Sequence, residues 1–173
     1  MPFFVSSLLV GAALALSPTR LTRAVAPPAV HLSHTRSYVV MGRKPGVEEP
    51  SELAKFVEAA GDKLIVVDVR NTDFEEEPGD AKTNEKAPIG AAARALAVNV
   101  IYDRKSSAMD LSKIPADRIA AGGGKESVPI ITHCGGGGRG QKAKDYLEAN
   151  GFGNVKNGGG PEDEECWAVF GSK

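Results

Sequence analysis

The chain has 173 residues, 42% of them hydrophobic and 25% charged, with 21 Lys and Arg against 22 Asp and Glu. That length and composition suit one globular core rather than two compact domains. A net charge of −1 gives no overall basic footprint of the kind that marks a nucleic-acid binder, and two cysteines exclude a disulfide-stapled fold.

The average hides a division of charge. Residues 1–47 contain no Asp or Glu and five cations, Arg20, Arg23, Arg36, Arg43 and Lys44, whereas residues 48–173 carry 16 basic and 22 acidic side chains. From Phe3 to Leu16 the chain is apolar apart from Ser and Gly, which is short of the roughly 20 residues of a spanning helix and matches the core of a secretory signal. Ala13, Ala15 and Ser17 supply small residues for cleavage, so residues 1–17 are signal-like. Residues 18–47 are rich in Arg, Ser, Thr and Pro, the composition of a transit peptide. The two together resemble the bipartite leaders of algae whose plastids lie inside extra membranes. A mitochondrial or secretory leader, or a disordered tail, shares much of this composition. The expectation is a plastid protein with no stable membrane span after processing, whose folded domain covers residues 48–173.

Within that domain, Leu53, Phe56, Val57 and Ala60 keep helical spacing after Pro50, and Gly61 marks the stop. Leu64 to Val69 is a continuous apolar run of the kind found in strands buried on both faces. Asn71 to Pro88 is polar and broken by Pro and Gly, which predicts a loop with at most a helical turn near Phe74 to Glu77. A short strand is expected around Ala97 to Ile101 and a short helix over Ile114 to Ala121, ending in Gly122 to Gly124. Val128 to Thr132 predicts a second buried strand, and Gln141 to Asn150 a helix with Ala143, Tyr146 and Leu147 on one face. Asn154 to Lys156 is a brief strand candidate. Pro161 suits a first helical position, followed by four acidic residues and Cys166, Trp167, Val169 and Phe170. Helices alternating with short apolar strands define an α/β domain with a mostly parallel sheet flanked by helices.

Ligands of open α/β sheets bind where strands end and loops lead into helices, and Cys134 stands at such a place. Gly135, Gly136, Gly137 and Gly138 leave the backbone free to form a tight ring of N–H groups, an anion-binding nest. The following helix adds its positive end, and Arg139 adds a fork of donors suited to oxyanions. Such surroundings favour a thiolate, so the expected chemistry is nucleophilic attack by Cys134 on an anionic substrate.

Cys134 to Arg139 reads C-x-x-G-x-R between a strand and a helix, and this resembles the active-site loop of the rhodanese, or sulfurtransferase, family. Val66 to Arg70 (VVDVR) resembles the family's first signature, and Asn157 to Trp167 (NGGGPEDEECW) its final glycine-rich turn, so the resemblance spans roughly residues 50–171. It implies a single rhodanese-like domain in which Cys134 takes a sulfane sulfur from a small anionic donor such as thiosulfate, forms a persulfide and passes the sulfur to a thiol, or to cyanide. It also implies that the amides of Gly135 to Arg139 stabilise the persulfide, that Arg139 holds the donor or closes the loop, and that Asp68 and Arg70 give structural support. The family usually carries a polar or charged side chain in the loop; here all four residues are glycine. Its second signature is represented only by Ala87 to Ala92 (APIGAA). No cofactor is implied.

Two other functions are open. Protein tyrosine phosphatases and related arsenate chemistry also use a cysteine, a glycine loop and an arginine, but with five residues between Cys and Arg, and the general acid would have to be Asp103 or Asp110. A non-catalytic rhodanese-like module that binds a partner is the other. His133 suits packing or hydrogen bonding better than general-base work, and Cys166 suits the core better than a role as resolving thiol. No Cys/His cluster suggests a metal. Gly122 to Lys125 lacks the flanking residues of a phosphate-binding P-loop.

Overall fold

The computed structural model describes residues 43–173, so the signal-like stretch and the transit-like residues up to 42 lie outside the described residues. Five α-helices and six β-strands follow in chain order among the described residues: α1 (Pro50–Ala60), β1 (Ile65–Asp68), α2 (Pro78–Lys86), β2 (Ala97–Asn99), β3 (Tyr102–Asp103), β4 (Ala108–Met109), α3 (Ala116–Ala121), β5 (Ile130–His133), α4 (Gly138–Ala149), β6 (Val155–Asn157) and α5 (Glu164–Phe170). Four strands form one sheet in the order β2-β1-β5-β6, with every neighbouring pair parallel. The α/β class expected from the sequence is the class observed.

Strand alternation sends successive side chains to opposite faces of the sheet, and each face has its own core. Ile65, Val67, Val69 and Ile130 pack with Ala143 and Leu147 of α4, Phe152, and Tyr102 and Met109 of the small antiparallel β3–β4 hairpin. Leu64, Val66 and Ile131 pack on the other face with Leu53 and Ala60 of α1 and with Cys166 and Phe170 of α5. Burying each large aliphatic or aromatic side chain contributes about 1.5–3 kcal/mol before entropy is counted. The two central strands, β1 and β5, are buried along their whole length, which is why each carries a run of apolar residues.

Three segments differ from the sequence reading. The polar stretch expected to be a loop contains α2, whose two buried residues, Asp80 and Thr83, are polar and so leave no apolar periodicity to find. Helix α4 begins at Gly138, three residues before Gln141, because the glycine loop itself winds into the first turn. Helix α5 begins at Glu164, with the Asp163 side chain accepting a hydrogen bond from the Cys166 amide (3.2 Å), so Pro161 and Glu162 belong to the preceding turn. No helix among the described residues is long and apolar enough to cross a membrane.

Residues 43–47, grouped with the leader by charge, lie on the folded unit. Arg43 donates to Asp163 (2.9 Å), Glu49 (2.7 Å) and Glu165 (2.8 Å), and the Glu48 amide donates to the Asn157 carbonyl (2.9 Å).

The turn after β6 is wedged against the end of β5. The Cys134 amide donates to the Gly159 carbonyl (3.0 Å), and Gly160, at φ +149°, is so close that a Cβ there would run into the Cys134 carbonyl oxygen and lie 2.6 Å from that of Gly135. Gly160→Ala is therefore expected to cost about 3 kcal/mol or more, from strained backbone and overpacking together. Gly79→Ala, where an added methyl meets nothing, should stay within about 1 kcal/mol. Urea midpoints of the two variants test this; equal midpoints would refute the wedge.

Candidate active site

β5 delivers Cys134 to the carboxyl edge of the sheet, and the chain turns through Gly135 to Gly137 into α4. Gly137 makes the turn possible. It caps the helix at φ +95°, and a Cβ there would strike Val47. Its amide donates to Cys134 Sγ at 3.2 Å, which places the sulfur against the positive end of a 12-residue helix. The amides of Gly135, Gly136, Gly138 and Arg139 have no protein acceptor among the described residues. Cys134 is 5% exposed, at the floor of a cleft of about 190 Å3.

Arg139 also lines the cleft, but its guanidinium is engaged. Nη1 donates to Asp80 Oδ2 (2.7 Å) and Nη2 to Asp80 Oδ1, a two-armed pair between α4 and α2. Burial works against the Arg139 charge, and the bonds to Asp80 outweigh it and hold the guanidinium above its ordinary value. Arg139 Nε is buried with no partner among the described residues. Asp80 also accepts from the Asn71 amide (2.7 Å). The sequence reading missed Asp80 because it lies in the stretch taken for a loop; the signal available was Pro78-Gly79-Asp80, a proline followed by a carboxylate at a helix start.

Below the loop lies a second polar cluster. Arg70, fully buried, donates through Nε and Nη2 to the two oxygens of Asp68 (2.9 and 2.6 Å), to Thr83 Oγ1 (3.3 Å) and to the Ala87 carbonyl (2.8 Å). Burial alone would raise the Asp68 carboxyl, but surrounding positive charge holds it below its usual range: His133 when protonated, and the Arg70 fork at neutral pH. Arg94, which the sequence reading did not single out, donates from Nη2 to His133 Nε2 (3.0 Å) and lies 4.8 Å from the Trp167 ring centroid. An arginine can only donate, so Nε2 accepts and the imidazole proton sits on Nδ1, 3.3 Å from the Cys134 carbonyl that it bonds. His133 thus braces the backbone of Cys134.

Cys166 belongs to the opposite core, where its thiol donates to the Glu48 carbonyl (3.4 Å). Burial, and then the negative charge of Asp163, push it up to about 12. Asp103 and Asp110 are occupied by local turns: Asp103 accepts from Ser106 (2.6 Å) and from the Lys105 amide (2.8 Å), and Asp110 caps Ser112. Neither lines the Cys134 cleft.

The cleft carries as many carboxylates as cations. Arg139 pairs with Asp80 and Arg104 with Glu77 (3.1 Å), leaving Lys44 and Glu162, which make no ion pair among the described residues. Neither was singled out from the sequence. Composition groups Lys44 with the leader, and Glu162 is one of the four acidic residues that the sequence places at a helix start after Pro161. Comparison with protein-family models, with curated proteins and with solved structures gives no match. The fold and the site therefore define the class on their own: an α/β domain with a cysteine at the floor of a glycine loop that opens a helix.

Two outcomes follow. Burial first, and then the charges of Arg94 and Arg70, lower His133 from 6.5 to about 4. The unfolded imidazole takes up a proton near 6.5 that the folded one refuses, so this stabilisation is complete above that pH and lost as pH falls towards 4. An NMR titration should show the His133 ring neutral down to about pH 4; titration near 6.5 would refute it. Asp80→Ala leaves the buried Arg139 charge without a partner, at a cost of about 3 kcal/mol. Hydrogen exchange over residues 78–86 should accelerate by about a hundredfold while β5 stays protected; unchanged exchange would mean that the pair does not hold α2.

Proposed function

We propose that this chain is a sulfurtransferase working through a persulfide on Cys134. The observation that carries the reading is the Gly137 amide donating to Cys134 Sγ (3.2 Å) at the head of α4, with the sulfur on the floor of the cleft. An amide and a helix amino terminus favour sulfur in its anionic form, whether thiolate or persulfide.

The Cys134 thiolate attacks the outer sulfur of a donor such as thiosulfate. A new sulfur–sulfur bond forms as the donor's own breaks, and sulfite leaves with the electron pair. Cys134 then carries the persulfide anion. An incoming thiolate attacks its outer sulfur, takes it away as a new persulfide and returns Cys134 to its starting state. Charge and atoms balance in both steps, and no cofactor is required. Gly135 to Gly138 supply amides without side chains to crowd the outer sulfur. Arg139, with both arms on Asp80, fastens the loop to α2. Asp68 and Arg70 act beneath the loop as support.

Phosphoryl transfer has less behind it. The arginine fork that would clasp a phosphate is held by Asp80, the loop has four residues between Cys134 and Arg139, and the two aspartates weighed as general acid lie away from the cleft.

Incubation with thiosulfate should add one sulfur atom to the protein by intact mass, cyanide should remove it as thiocyanate, and Cys134→Ser should abolish the adduct. Hydrolysis of an aryl phosphate by a protein that never takes up sulfur would favour the phosphatase. Absence of both reactions would leave the partner-binding module.

A further inference from the structure

We propose that Lys44 selects for negatively charged molecules at the mouth of the Cys134 cleft, against the opposing charge of Glu162. This extends the sulfur-transfer reading, on which it depends only for the identity of the anion.

Three observations carry it. The first is position. A Cβ at Gly136 would lie 2.9 Å from Lys44 Nζ and would also meet the Glu162 carboxylate. An ammonium and a carboxylate from distant parts of the chain thus share the space that a side chain on the loop would fill. A methyl on Gly136 would displace the two charged ends from that space. The second is charge. Every other cation lining the cleft is matched by a carboxylate at bonding distance, Arg139 by Asp80 and Arg104 by Glu77, whereas Lys44 makes no ion pair among the described residues. Residues 1–47 contain no Asp or Glu, so the preceding segment offers it no side-chain carboxylate either.

The third is anchorage. The Lys44 side chain is exposed, but its backbone is fixed on both sides. Arg43 holds three carboxylates on one side. On the other, the Val47 amide donates to the Lys44 carbonyl (3.1 Å), and Val47 packs where a Cβ on Gly137 or Gly159 would be. The ammonium therefore swings on its own side chain from a fixed point and reaches the cleft without ordering a loop. An incoming anion meets the attraction of Lys44 and the repulsion of Glu162, so removing either charge shifts selectivity in opposite directions.

The test uses two alkylating reagents of similar size, iodoacetate, which is an anion, and iodoacetamide, which is neutral. In both reactions the Cys134 sulfur displaces iodide. The ratio of the two rates, read by mass spectrometry on the Cys134 peptide of the full chain, reports the charge preference of the cleft without requiring sulfur transfer. Lys44→Gln should lower the ratio about threefold at low ionic strength, Glu162→Gln should raise it about threefold, and Lys44→Arg should keep the native value. Both shifts should fade near 1 M salt, where screening acts over only about 3 Å. A ratio unchanged in Lys44→Gln overturns the proposal, as does failure of both reagents to reach Cys134. A shifted ratio in a protein that takes no sulfur from thiosulfate leaves the Lys44 assignment standing and removes the sulfurtransferase reading instead.

Discussion

Two opposite charges, Asp68 and Arg70, sit together with almost no exposure at the end of β1, and the edge of the domain that carries Cys134 is arranged around them. Taking a carboxylate and a guanidinium out of water costs several kcal/mol each, an expense tolerated only where geometry satisfies nearly every donor and acceptor. Arg70 meets that condition by facing both oxygens of Asp68 while its remaining donors tie down Thr83 and the carbonyl of Ala87 at the far end of α2. Asn99 at the end of β2 donates to the Asp68 and Arg70 carbonyls, and His133 with Arg94 closes the third side beneath β5. The carboxyl ends of three strands are thereby held in one polar frame, above which the cysteine loop is suspended.

The frame explains how a loop made of glycine can be well defined. Gly135 to Gly138 contribute no side-chain packing of their own, and glycine gives up more conformational freedom on folding than any other residue. The order is imposed from outside. The Asn157 side chain donates to the Gly137 carbonyl (3.1 Å), the Glu162 amide donates to the Gly135 carbonyl (2.9 Å), and His133 bonds that of Cys134. Val47 fills the space beside Gly137. The glycines leave room, and residues from four other segments occupy it.

What could be read from the sequence follows the same line between apolar and polar order. β1 and β5 were legible because strands covered on both faces carry short runs of Ile and Val, Ile65 to Val67 and Ile130 to Ile131, and α1 because Leu53, Phe56, Val57 and Ala60 keep a helical period. Cys134, the glycines and Arg139 were legible as a candidate site because their spacing falls between a strand and a helix, which is where the fold puts them. α2 was not, since the side chains it buries, Asp80 and Thr83, look like surface residues until their partners are known. The β3–β4 hairpin has strands of two residues, too short for any period. Lys44 was lost for a different reason: composition divides the chain at a change of charge, whereas the fold engages the chain a few residues earlier, where Arg43 finds its carboxylates. The Asp80 partner of Arg139 and the Arg94 partner of His133 are contacts between distant residues, with no local pattern to announce them.

The placement of the second cysteine gives the sheet a role beyond support. Cys134 packs with the core on one face and Cys166 with the core on the other, so four strands stand as a partition between the only two sulfur atoms of cysteine in the chain. On its side of that wall Cys166 is protonated throughout the physiological range, and it is fully buried. Cys166 does not line the cleft that Cys134 faces, so among the described residues a reagent in that cleft meets one thiol.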